Sequence, residues 1–204
     1  MLLLVIRYAW ITRFSMIRFP KEYFWMNYQL ALIVMVGVII RLIALNKEFW
    51  FDEGLSLYLA QQPLHKIIYF HLKGIDLTFP LFNYILSFWL KVSPLLIWAR
   101  VFSFILGILI IYITYKIGRL LFNNSIALLT AFFISCCEPF IYHSVEIRQY
   151  SLFTLLALLS EYYFLKFLKR PIFKNQLLYI TFSVLCIYCH FFGLFILLTQ
   201  IAVF

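Results

Sequence analysis

Phe79-Pro80-Leu81-Phe82-Asn83-Tyr84-Ile85-Leu86-Ser87-Phe88-Trp89-Leu90 reads either as a short membrane span or as a helix lying at the interface, and that choice sets the topology of the chain. Around it, spans are expected at about 28–45, 97–121, 126–142 and 150–167, with a further apolar stretch from 177 to the end. If 79–90 lies on the surface, ten of the 17 Lys and Arg fall on the cytoplasmic side: Arg7, Arg13, Arg18 and Lys21, then Lys116 and Arg119, then Lys166, Lys169, Arg170 and Lys174. If it spans, every later loop changes side and the inside retains seven. The positive-inside bias therefore selects the surface helix. The same choice gathers Asp52, Glu53, Asp76, Glu146 and Arg148 on the outer side.

Composition agrees with a membrane protein. Hydrophobic residues make up 65% of the 204 and charged residues 12%, against roughly 45–50% and ~25% in soluble domains. The net charge of +9 is dispersed in short clusters between apolar runs. It forms no basic stripe of the kind nucleic acid requires. Residues 1–27, apolar and basic, read as a cytoplasmic interfacial segment, and their basic residues ahead of the first long apolar run, with no small-residue cleavage site following, read as a retained signal-anchor. Residues 46–96 read as the first extracytoplasmic loop. The whole of 1–204 is taken as one all-α membrane domain of about five to six transmembrane helices. The chain ends at Phe204 in apolar sequence, which reads as the N-terminal portion of a longer module. The 177–204 stretch is long for one tilted helix and short for two, and reads either as one helix or as a hairpin broken near His190-Phe191-Phe192-Gly193.

Only eight Asp and Glu occur in the chain, and Asp52-Glu53 sit side by side within Phe49-Trp50-Phe51-Asp52-Glu53-Gly54. Ionisable groups near a bilayer cost free energy that packing does not require, so they are site candidates by default. The plain alternative is a solvated loop carrying a helix N-cap and a turn glycine. A second cluster is Tyr142-His143-Ser144-Val145-Glu146-Ile147-Arg148-Gln149-Tyr150. Glu146 and Arg148, two apart, would not face each other on a helix. Either they cap the next helix, or Arg148 is held over an anionic ligand with Glu146 orienting it. Arg41, near the far end of the first span, is close enough to reach a headgroup or phosphate by snorkelling. Cys186-Ile187-Tyr188-Cys189-His190 fits the literal spacing of a c-type haem attachment, but it is embedded in Leu, Ile and Phe and reads as packing between helices. A lone CxxCH also supplies too few ligands for a closed zinc site.

In order along the chain, Arg41, the 49–54 stretch, Asp76-Leu77-Thr78-Phe79-Pro80-Leu81, Arg100-Val101-Phe102-Ser103, Glu146-Ile147-Arg148-Gln149-Tyr150 and Cys189-His190-Phe191-Phe192-Gly193 resemble the N-terminal half of the GT-C membrane glycosyltransferases. The nearest subgroup is the one similar to protein O-mannosyltransferases and the lipid A aminoarabinose transferase. Three positions depart from the pattern: Thr78 where His is common, Phe79 where a first Pro is usual, and Glu138 where Ser usually precedes Pro139. The resemblance implies Asp52, with Glu53 beside it, as the catalytic carboxylate. Arg148, Glu146, Arg41, Tyr150 and His190 are expected to handle substrate or phosphate.

The expected reaction moves a sugar from a polyprenyl-phosphate donor to a hydroxyl of a lipid, polysaccharide or protein acceptor at the outer face of the plasma membrane, with inversion. No cofactor is expected, and the sequence leaves a metal requirement open. The alternatives are a polytopic transporter or lipid-carrier flippase, and an inactive truncated remnant. Carboxylates in outer loops argue against transport, whose sites usually lie at mid-membrane.

Overall fold

The computed structural model describes residues 20–75 and 78–203, with side chains from Tyr28 onward. Of the interfacial segment expected over 1–27, residues 1–19 lie outside the described residues, as does Asp76, while residues 20–27 form the first turns of a helix that runs on to Ala44. The described chain is helical and carries no strand. Its helices are α1 (Pro20–Ala44), α2 (Phe51–Ala60), α3 (Leu64–Leu72), α4 (Leu81–Trp89), α5 (Leu96–Leu121), α6 (Asn124–Cys136), α7 (Glu138–Ser144), α8 (Tyr150–Lys169), α9 (Phe173–Cys189) and α10 (Gly193–Val203).

α4 has nine residues, about 14 Å of helix, which is far short of the ~30 Å of a hydrocarbon core. It buries Phe82, Asn83 and Leu86 on one face and leaves Phe88 exposed. Its exit is fixed by two stacked indoles: Trp89 Nε1 donates to the Trp98 carbonyl at 2.8 Å, and Trp98 Nε1 returns a bond to the Trp89 carbonyl at 3.1 Å. This reciprocal clasp holds α4 across the start of α5.

α5 is the axis of the bundle. It packs on α6 and α8, while α1 packs on α6 and α9 on α8. One apolar core joins α4, α5, α8 and α9 through Phe82, Leu86, Phe102, Leu106, Leu155 and Cys186; a second joins α1, α5 and α6 through Leu30, Ile111, Ala127 and Ala131. Gly118 makes the α5–α6 contact possible, because a Cβ there would lie 2.8 Å from the Ala127 Cα. Small residues of this kind let helix backbones approach closely. Gly118→Ala should therefore lower stability by about 1–3 kcal/mol, read as a drop in Tm in detergent; an unchanged Tm would mean the two helices separate freely.

α5 and α8 are long and apolar enough to cross a membrane, and α6–α7 counts as a third if taken as one bent span. The other apolar helices, Tyr28–Ala44 of α1 and α10, are shorter. The five to six spans expected were counted from apolar runs, and two runs are interrupted. The 126–142 run bends by 60° between α6 and α7, where Pro139 lacks the N–H a continuous helix would need. The last run folds back at His190: Ser160 of α8 bonds both Ser183 of α9 and Gln200 of α10. In one straight helix residues 183 and 200 would be about 25 Å apart, so the 177–204 stretch is a hairpin.

The two ends of the bundle differ in chemistry. At one end Arg119 bonds Tyr115 and Asn124, and Lys169 bonds the Leu120 carbonyl. At the other end lies Arg100 with the acidic residues. Arg100 and Arg119 are separated by about 28 Å along α5, close to the thickness of a hydrocarbon core.

Candidate active site

Asp52 and Glu53 are the second and third residues of α2, whose N-cap is Trp50. Carboxylates in a first helical turn are favoured by the helix dipole. The two then diverge completely. Successive helical residues point about 100° apart, since 3.6 fill a turn, so Glu53 turns into the protein while Asp52 turns out.

Glu53 is fully buried and saturated. Its Oε1 accepts from Arg100 Nε at 3.2 Å and from the Ile147 N–H at 3.0 Å; its Oε2 accepts from Arg100 Nη2 at 3.0 Å and from the Trp50 N–H at 3.3 Å. Both oxygens of the residue expected beside Asp52 are thus committed, and the side chain joins α2 to α5 and to the loop before α8.

Arg100, which enters the sequence reading only within the Arg100-Val101-Phe102-Ser103 stretch, is the residue that organises this end. Besides Glu53 it donates to the carbonyls of Leu45, Lys47 and Glu48 at 2.9, 2.8 and 3.1 Å. These are the carbonyls that α1 and its exit leave without helical partners. The signal was present in the sequence, since an arginine four residues into a long apolar helix must find a partner.

Asp52 keeps 61% of its side chain exposed, and its Oδ2 lies 3.9 Å from Arg148 Nη2. Arg148 is buried and also donates from Nη1 to Ser56 Oγ at 3.3 Å. The 145–149 loop that carries it is buried throughout, pinned by the Ile147 bond to Glu53. Glu146 faces elsewhere, as its spacing from Arg148 implies: it pairs with His143 Nδ1 at 3.0 Å and lies 3.8 Å from Lys47 Nζ. The expectation that Glu146 orients Arg148 is thus replaced by a separate cluster, in which the Lys47 ammonium also sits 3.8 Å over the Tyr142 ring. Burial pushes Lys47 below the ordinary lysine range, and Glu146 opposes that shift.

Tyr150 opens α8 with its ring against His143, and the Arg148 guanidinium carbon is 6.0 Å from its centroid. His190 sits at the same end, because the neighbouring Cys189 thiol reaches the Gln149 carbonyl at 3.8 Å. Its ring packs among Phe153, Phe191 and Phe192, and its Nδ1 accepts the Phe192 N–H at 3.2 Å. Burial lowers its pKa, in keeping with a neutral imidazole that accepts a hydrogen bond. Cys186 and Cys189 are packed in the core.

Arg41 departs from its expected place at a headgroup. It is fully buried, with Nη1 donating to the Gly37 carbonyl at 3.2 Å and to the Ser135 carbonyl at 3.0 Å. The cause is direction: the side chain points inward between α5 and α6, where Gly37 and Gly107 leave it room.

What this end offers chemically is an accessible carboxylate, Asp52, facing a buried guanidinium, Arg148, each held by a separate element. Residues 78–204 match the family model described as dolichyl-phosphate-mannose-protein mannosyltransferase. The match takes in Arg100, Glu146, Arg148, Tyr150 and His190, and starts after Asp52. No curated protein and no solved structure matches the chain.

Proposed function

The chain belongs to the dolichyl-phosphate-mannose-protein mannosyltransferase family, a GT-C type of glycosyltransferase, and on that premise we propose that it moves a sugar from a polyprenyl-phosphate donor to an acceptor hydroxyl with Asp52 as general base. The observation that carries the reading is the exposed Asp52 carboxylate 3.9 Å from the Arg148 guanidinium, two groups 96 positions apart in the chain. Asp52 removes the acceptor proton as its oxygen attacks the anomeric carbon. The bond from that carbon to the phosphate oxygen breaks, and its electron pair leaves with the phosphate. In glycoside hydrolysis a second carboxylate protonates the leaving oxygen; a phosphate needs no such proton, and a cation that stabilises its developing charge suffices. Arg148 supplies that cation. Attack opposite the leaving group inverts the anomeric centre.

The site faces the outside of the cell membrane in this reading, with the N-terminus cytoplasmic. Lys116, Arg119, Lys166, Lys169, Arg170 and Lys174 belong to the opposite end, where the positive-inside bias would put them. The acceptor is a hydroxyl of a lipid, polysaccharide or protein, and the prenyl chain runs along the apolar helix surfaces.

The test is sugar transfer from a synthetic prenyl-phosphate sugar to a panel of hydroxyl acceptors in detergent micelles, where no compartments exist to transport between. Transfer supports the reading, and its absence across the panel from folded protein counts against it. In the same assay Arg148→Ala should weaken apparent donor affinity by about tenfold or more, the scale of a charge-assisted contact to phosphate. An unchanged rate and affinity would remove Arg148 from the phosphate.

A further inference from the structure

Arg41 is fully buried and cationic, and its Nε and Nη2 lack any hydrogen-bond partner. Burying a charge so incompletely satisfied is unfavourable, and a residue kept in that state needs a reason. The reason lies 94 residues away. Arg41 Nη1 donates to the Ser135 carbonyl, which in an unbroken helix would accept from the N–H of residue 139. Residue 139 is proline and has none. The guanidinium occupies the place of the missing donor at the C-terminal end of α6, where the helix dipole also favours a cation.

The bend is gripped from a second side. A Cβ on Gly107 of α5 would lie 2.3 Å from Ser144 Cβ at the end of α7 and 3.2 Å from Arg41 Nε. α7 is therefore wedged between α1 and α5, and the loop that leaves it is the one that carries Ile147 to Glu53 and Arg148 to Asp52.

We propose that Arg41 is a positioning residue: by satisfying the carbonyl that Pro139 orphans, it holds the α6–α7 bend and so aims the 145–149 loop at Asp52. The link to catalysis rests on the glycosyltransferase reading; the hold on the bend does not. The residue touches no reacting group and acts through backbone geometry.

The experiment is a double-mutant cycle in detergent with two readouts, Tm and binding of farnesyl phosphate followed by tryptophan fluorescence. Arg41→Met should lower Tm and weaken binding by about tenfold, as expected when a hydrogen bond to a charged group is lost. Arg41→Lys, which can still donate to the Ser135 carbonyl, should recover most of both. Pro139→Ala restores an N–H at 139, so the double variant R41M/P139A should regain Tm yet stay weak in binding, because a straightened helix satisfies the carbonyl but misdirects the loop. Additive Tm effects, or recovery of both readouts in the double variant, would overturn the proposal. If R41M alone does not accumulate as folded protein, recovery of folded R41M/P139A supports the proposal and its failure counts against it. Failure of the wild-type chain to bind farnesyl phosphate would instead count against the glycosyltransferase reading, and the Tm cycle would still decide whether Arg41 holds the bend.

Discussion

Asp52→Asn is expected to lower sugar transfer by about a hundredfold or more, the range a general base contributes, while leaving folding and membrane insertion intact. The substitution keeps the size of the side chain and removes its charge, and with the charge its capacity to take a proton. Most of the native side chain is exposed, and its charged contact with Arg148 is 3.9 Å long, so little of the fold depends on it. Ser56 Oγ bonds the Asp52 main-chain carbonyl at 3.1 Å, a contact that the variant preserves. Turnover and Tm should therefore separate cleanly. Near-normal turnover in the Asn variant would dismiss Asp52 as the base.

Arg100→Met should have the opposite profile, with a large loss of stability. It strands the Glu53 carboxylate, which is fully buried, and removes the donor from the carbonyls of Leu45, Lys47 and Glu48. Breaking a buried ion pair by deleting one partner costs about 3–5 kcal/mol, so the variant should show a much lower Tm or fail to accumulate as folded protein. Glu53→Gln in combination with it should add less than its own separate effect, because residues that share one network do not contribute independently. A wild-type Tm for Arg100→Met would show that the α1–α2 exit is held by something other than this arginine.

The contrast between these two variants turns on adjacent positions. Asp52-Glu53 reads as a pair of carboxylates near an interface, and nothing in a local pattern separates them; one faces solvent and the other the core because a helix rotates about 100° per residue. Arg41 likewise reads as an arginine near a membrane surface. Its partner is a carbonyl on another helix, freed by a proline that was visible in the sequence but read as part of one 126–142 span.

By itself the sequence determined the all-α membrane class and the gathering of Asp52, Glu53, Glu146 and Arg148 at one end, because apolar run length and charge spacing are local quantities that the bilayer reads directly. The tertiary structure alone decided that Asp52 is exposed and Glu53 buried, that Arg41 bonds the Ser135 carbonyl and that Arg148 faces Asp52. Those assignments depend on partners 47, 94 and 96 residues distant, and the pairing of distant groups is set by how the helices pack, which no spacing along the chain encodes.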